Sequence, residues 1–180
     1  MAQQYRALED KHIEFIARQQ MYFVGSAGAE GFVNVSPKGM DSLRVLGPNR
    51  VAWLNLTGSG NETAAHVLEN GRMTVMFCSY DAAPLILRLY GKAEVVYPRH
   101  ERWDELAQHF PAHAGARQFF DLDVAMVQTS CGYAVPRYEF VEQRPTLVQW
   151  AEKHGAEGVM QYWQDKNRVS LDGADTGIFE

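Results

Sequence analysis

The chain has 180 residues, 46% of them hydrophobic and 22% charged, with a formal net charge of -5. That balance suits a globular protein with one sizeable core, so a single domain over 1-180 is expected. The negative charge, with no dense Lys and Arg cluster, argues against binding nucleic-acid backbones. No run of about 18 uncharged apolar residues occurs, and "MAQQYRALEDKHIEF" lacks an apolar signal core, so neither membrane insertion nor secretion is expected. Cys78 and Cys131 each sit in an apolar run, far apart, and read as reduced core thiols of a cytoplasmic protein.

In chain order, "LEDKHIEFIARQ" places Leu8, Ile13, Phe15 and Ile16 at helical spacing and predicts a short helix. Six β-branched and aromatic runs follow: "MYFVGSA", "GFVNVSP", "SLRVLGP", "RVAWLNLT", "RMTVMFCSY" and "LILRLYGKAEVVY". Gly, Pro, Asn and Asp turn signals separate them, the pattern of a curled antiparallel sheet or barrel. "HERWDELAQHF" reads as an outer helix and "VAMVQTSCGYAVPRYEFV" as one or two more strands. "RPTLVQWAEKHGAEGVMQYWQDKN" reads as a helical C-terminal region from about 144, interrupted near Gly155 and Gly158. Strands first and helices outside give the α+β class.

The stretch "NLTGSGNETAAHVLEN" carries the most chemistry. Gly58 and Gly60 permit a tight turn, and Ser59, Asn61 and Thr63 place short polar groups beside the free N–H groups of a helix starting near Glu62, a setting that suits an anion. A plainer reading makes Ser59 and Glu62 an S-x-x-E capping box. A dinucleotide fingerprint fails because Thr63 replaces the third glycine and no crossover helix follows Asp81. No G-x-x-x-x-G-K-[ST] or G-x-S-x-G is present. Pro111 spoils the i, i+4 pair His109 and His113 as metal ligands, and His12, His66, His100 and His154 lie in no metal motif. Lys38, Arg72 and Arg88 place cations in or beside apolar strands, which requires a partner carboxylate such as Glu62 or Glu94, an outward face, or an anionic ligand.

Together "NVSPKG", "GSGNETAAH", "LRLYGKAEVV", "SCGYAVPRYE" and "KNRVSLDG" resemble the FMN-binding split-barrel proteins related to pyridoxamine 5'-phosphate oxidase, in the family's order and over most of the chain. The resemblance implies a six-stranded antiparallel split β-barrel with flanking helices, a homodimer, and FMN near the subunit interface. It implies an oxidoreductase acting on a small-molecule substrate or electron donor. The alternative is a binding module that carries flavin, haem or a deazaflavin without turnover. On this reading Ser59, Asn61 and Thr63 meet the FMN phosphate or ribityl chain, Lys38 and Arg88 make anion or flavin-edge contacts, and the backbone of Ser36 and Pro37 borders the ring. Trp163, with Tyr162, offers aromatic cover, and Lys166 and Asn167 reach polar ligand atoms. Val33 and Thr63 stand where the family's true oxidases carry basic phosphate ligands, which argues against pyridoxamine phosphate as substrate.

Overall fold

A computed structural model describes residues 2–180. Its elements are β1 (Gln3–Tyr5), α1 (Asp10–Ala17), β2 (Tyr22–Ser26), β3 (Asn34–Lys38), β4 (Leu43–Gly47), β5 (Arg50–Leu56), α2 (Glu62–Asn70), β6 (Arg72–Cys78), β7 (Ile86–Val96), α3 (Trp103–Ala107), β8 (Ala116–Ser130) and α4 (Thr146–Lys166). Among the described residues the sheet has eight strands, in the order β3-β2-β6-β7-β8-β5-β4, with β1 added on β8, and every pairing is antiparallel.

Alternation in the strands decides which face is buried. Val24, Val75, Leu87, Leu89, Phe120 and Leu122 fill one inner cluster, joined by Trp53 from the far end of the strand order. The ends of the sheet therefore curl toward each other. Tyr22 Oη lies 2.8 Å from Ser42 Oγ, and the Lys38 ammonium of β3 lies 5.0 Å from the centre of the Trp53 ring on β5. A smaller outer cluster of Ala52, Leu54, Val96, Leu106 and Phe119 lies under α3. Arg50 binds Asp121 and Glu105, while Arg102 binds Glu94 and Asp121, so ion pairs fasten α3 over that face.

Several expectations need correction. The strand read as "VAMVQTS…" begins earlier, at Ala116, and it stops at Ser130. Residues 131–145 form no strand; Pro136 denies a ladder donor there and the segment crosses the molecule as an irregular strap. Cys131 on this strap is exposed, whereas Cys78 is buried; both are free thiols. Asn61, not Ser59, occupies the N-cap of α2, so no capping box forms, and the Glu62 carboxylate instead accepts the Leu171 N–H at 2.8 Å. Among the described residues the sheet has eight strands: the six runs, the further strand read in "VAMVQTS", and β1, which is too short to signal itself. The expected break in the last helix falls at Gly155, with φ 65 and ψ 178.

Candidate functional site

The strap, the turn after β3, the loop before α2 and both halves of α4 enclose a cleft of about 910 Å³. That size lies within the roughly 300–1,000 Å³ of small-molecule sites. Pro37, Lys38 and Ser59, three of the residues singled out from sequence, line it together with Thr57, Gly58 and Tyr162. The break in α4 at Gly155 lets both halves of the helix reach the cleft. Trp150 and Tyr162 lie on opposite sides of the break, and their ring centres are 5.0 Å apart. The strap is stapled over the opening by few bonds: Tyr138 N–H donates to Tyr80 O at 3.0 Å, Gln143 Nε2 donates to Gln20 O at 3.1 Å, and Gln143 Oε1 accepts from Met40 N–H at 3.3 Å.

Lys38 is half-buried at the end of β3 and forms no salt bridge among the described residues. Burial, reinforced by the nearby Arg117 guanidinium, pushes its ammonium down to about 8. Neither Glu62 nor Glu94 serves as a partner for the strand cations. Arg72 binds Asn70 Oδ1 and Gly28 O, Arg88 donates to Ser130 Oγ at 3.2 Å, and Glu94 is held by Arg102.

The loop before α2 is held from behind. Arg117, 2% exposed, donates Nη1 to Gly60 O at 3.1 Å and to Asn167 Oδ1 at 2.7 Å. Asn167 Nδ2 donates to Gly58 O at 3.0 Å, and Trp163 Nε1 donates to Thr57 Oγ1 at 2.8 Å. These peptide bonds are trans, so fixing the carbonyls of Gly58 and Gly60 toward Asn167 and Arg117 aims the N–H groups of Ser59 and Asn61 the opposite way. Those two N–H groups have no acceptor among the described residues. They add to the free donors of the first turn of α2, a concave donor array of the type that receives anions. Arg117 was not singled out from sequence, although it carries the signal applied to Lys38 and Arg88, a cation entering an apolar strand. Burial lowers its guanidinium to about 10, so it remains charged at neutral pH.

The other sequence candidates do not line the cleft. Asn61 and Thr63 are buried; Thr63 Oγ1 accepts from Asn34 Nδ2 at 3.2 Å and from Ser26 Oγ at 3.3 Å. Ser36 is half-buried on β3 and does not line the cleft. Trp163 and Asn167 are buried against the loop, and Lys166 is exposed. Arg88 faces outward from the sheet, between inward Leu87 and Leu89. Its row across the register runs Pro37, Phe23, Met76, Arg88, Gln128. Among the described residues, no three of His, Cys, Asp and Glu gather as a metal site, and no helix is long and apolar enough to cross a membrane.

A curled antiparallel sheet split at its edges, with a donor loop opening into a helix beside an aromatic cleft, defines a split-barrel protein. The pyridoxamine 5'-phosphate oxidase family model matches residues 8–131, so the chain belongs to that family. The pyridoxamine 5'-phosphate oxidase family protein ustO of Aspergillus flavus is 38% identical over 187 residues, spanning 94% of this chain and 75% of its relative. Among solved structures, LDB0262 of Lactobacillus delbrueckii superposes with a TM-score of 0.55 at 18% identity, over 68% of this chain and 94% of that one. A single-site variant of HupZ from Group A Streptococcus gives a TM-score of 0.54 at 19% identity, over 68% of this chain and 98% of that one. Likeness at that identity speaks for the fold.

Proposed function

We propose that this protein is a cytoplasmic FMN-dependent oxidoreductase that works as a homodimer on a small-molecule substrate. The observation that carries the reading is the donor loop pinned by Arg117 and Asn167 beside a cleft whose inner cation, Lys38, has no carboxylate of its own among the described residues. The loop donors of Ser59, Asn61 and the α2 start would hold the FMN phosphate, and Thr63 would border the ribityl chain. Ser36, Pro37 and Lys38 would lie along the flavin ring, with Arg88 as an anion contact on the outer face of the sheet. Trp163 and Asn167 act through the loop they hold, and Lys166 is free to reach a ligand edge. When bound, FMN would supply the hydride or electron chemistry, and these residues would supply position and electrostatics.

The outer face around Arg88 supports the dimer. Phe23 and Met76 are half-buried there, and Val33 and Val35 continue the apolar surface with exposures of 72% and 63%. An apolar patch of this kind marks an association surface. Purification without added cofactor, followed by absorption spectrum and mass of whatever is released, tests the class: a yellow protein yielding FMN supports it. Flavin reduction by NADPH or NADH, then reoxidation by an acceptor, separates an enzyme from a flavin-carrying module. Arg88→Met should weaken FMN binding in a folded protein, and unchanged FMN affinity would return Arg88 to a purely packing role.

A further inference from the structure

Five aromatic side chains reach the cleft from three separate parts of the chain. Tyr80 comes from the β6–β7 connection, Tyr138 and Phe140 from the strap, and Trp150 and Tyr162 from α4. Four of them are organised in pairs. Tyr80 and Tyr138 lie 5.5 Å apart, and Trp150 meets Tyr162 edge-on while His154 stacks on one Trp150 face at 4.4 Å. Tyr138 is 68% exposed and Phe140 56%, so large apolar rings border open space beside a formed cleft. Exposed aromatic surface of this extent gains free energy when a ring covers it.

Charge says what the ring carries. The lining holds three cations, Arg18, Lys38 and Arg144, and three acids, Asp81, Glu139 and Glu142, so it has no net positive field. All three acids are exposed, as are Arg18 and Arg144; among these six charges only Lys38 is half-buried. Away from the donor loop, a dianionic phosphate would meet exposed charges of both signs in balance and so no net attraction, whereas an uncharged ring would meet aromatic faces and the Met21 and Met40 side chains.

We infer that the part of the cleft between the strap and α4 binds an uncharged planar aromatic molecule, as the substrate of the oxidoreductase proposed above, in place of a phosphorylated one. The assignment of that molecule as substrate rests on the FMN reading; the ligand class rests on the cleft alone. The paired probes are α-naphthol and α-naphthyl phosphate, which share a ring and differ in the dianion. Titrated into the protein as purified, with FMN occupancy followed in parallel by absorbance, α-naphthol is expected to bind at least about tenfold more tightly than its phosphate ester. Trp150→Ala should weaken α-naphthol by about tenfold, and Tyr138→Ala, on the exposed strap and safe for folding, by severalfold. Tighter binding of the phosphate ester overturns the inference, as does α-naphthol affinity unchanged in Tyr138→Ala and in a folded Trp150→Ala. Displacement of bound FMN by α-naphthol overturns the substrate assignment, because the cleft is then the flavin's own. A protein that retains no flavin yet binds α-naphthol as expected supports the ligand class and overturns the FMN reading.

Discussion

Trp150 and Tyr162 touch at 5.0 Å between ring centres although they stand twelve positions apart on α4. A straight helix rising 1.5 Å per residue would hold them roughly 18 Å apart. Gly155, at φ 65 and ψ 178, is what brings them together.

That backbone region is open essentially to glycine alone, and nothing lies within 4 Å of where a Cβ would stand, so the effect of a substitution is conformational. Gly155→Ala should destabilise the fold by about 1–3 kcal/mol, or straighten α4 and part the two rings. Thermal melting and tryptophan fluorescence check both outcomes together. A variant with the wild-type melting point and spectrum would remove the kink from the cleft's construction.

Gly91 is limited by space. It sits at the register shift of β7, and a Cβ there would come within 1.9 Å of Asp123 O on β8. Gly91→Ala must push apart two central strands, at a cost of about 1–3 kcal/mol or more. Chemical denaturation of the variant is the measurement, with a lower midpoint expected.

How far the sequence announced these features depends on whether their causes are local. The strand runs from Tyr22 to Val96 carry period-two alternation and turn residues, and the break at Gly155 is a glycine signal; both are legible. The first half of β8, "ARQFFDLDV", is not, because Arg117, Gln118 and Asp121 interrupt its apolar pattern. Their burial makes sense only through partners far along the chain: Asn167 for Arg117, Asn61 for Gln118, and Arg50 and Arg102 for Asp121. The strap misled for the opposite reason. Its Val and Tyr residues look like strand residues, but Tyr138 borders the cleft and Tyr133 and Val141 are exposed, and none pairs with a neighbouring strand.

Lys38 should make anion binding depend on pH. Its ammonium, lowered to about 8, is charged below that pH and loses its proton above it. An anionic group held by Lys38 should therefore bind well at pH 7 and lose affinity as pH rises through about 8, and Lys38→Met should flatten that step. Stability of the unliganded protein should move the other way. The unfolded lysine, near 10.4, binds the proton more tightly than the folded one, so stability rises with pH between about 8 and 10. Titrations of FMN across this range, and melting curves of both proteins, read the two effects separately.

Arg117→Met tests the pinned loop. It leaves the buried Asn167 Oδ1 without its donor, worth about 1–3 kcal/mol, and releases the part-buried Gly60 O. If the loop holds the FMN phosphate, FMN affinity should fall more than riboflavin affinity, narrowing the ratio between them. An equal loss for both ligands would confine Arg117 to general stability.

The residues that fix the donor loop lie far downstream of it. Asn167 reaches back 109 positions to Gly58, Leu171 reaches Glu62 across the same span, and Thr176 Oγ1 in turn donates to Asn167 O at 2.6 Å. During synthesis the barrel strands through Ser130 can pair while this latch is still unmade. A nascent chain halted before Trp163 should therefore emerge with a formed sheet and an unformed donor array, unable to retain a ligand at that loop until the downstream segment leaves the ribosome.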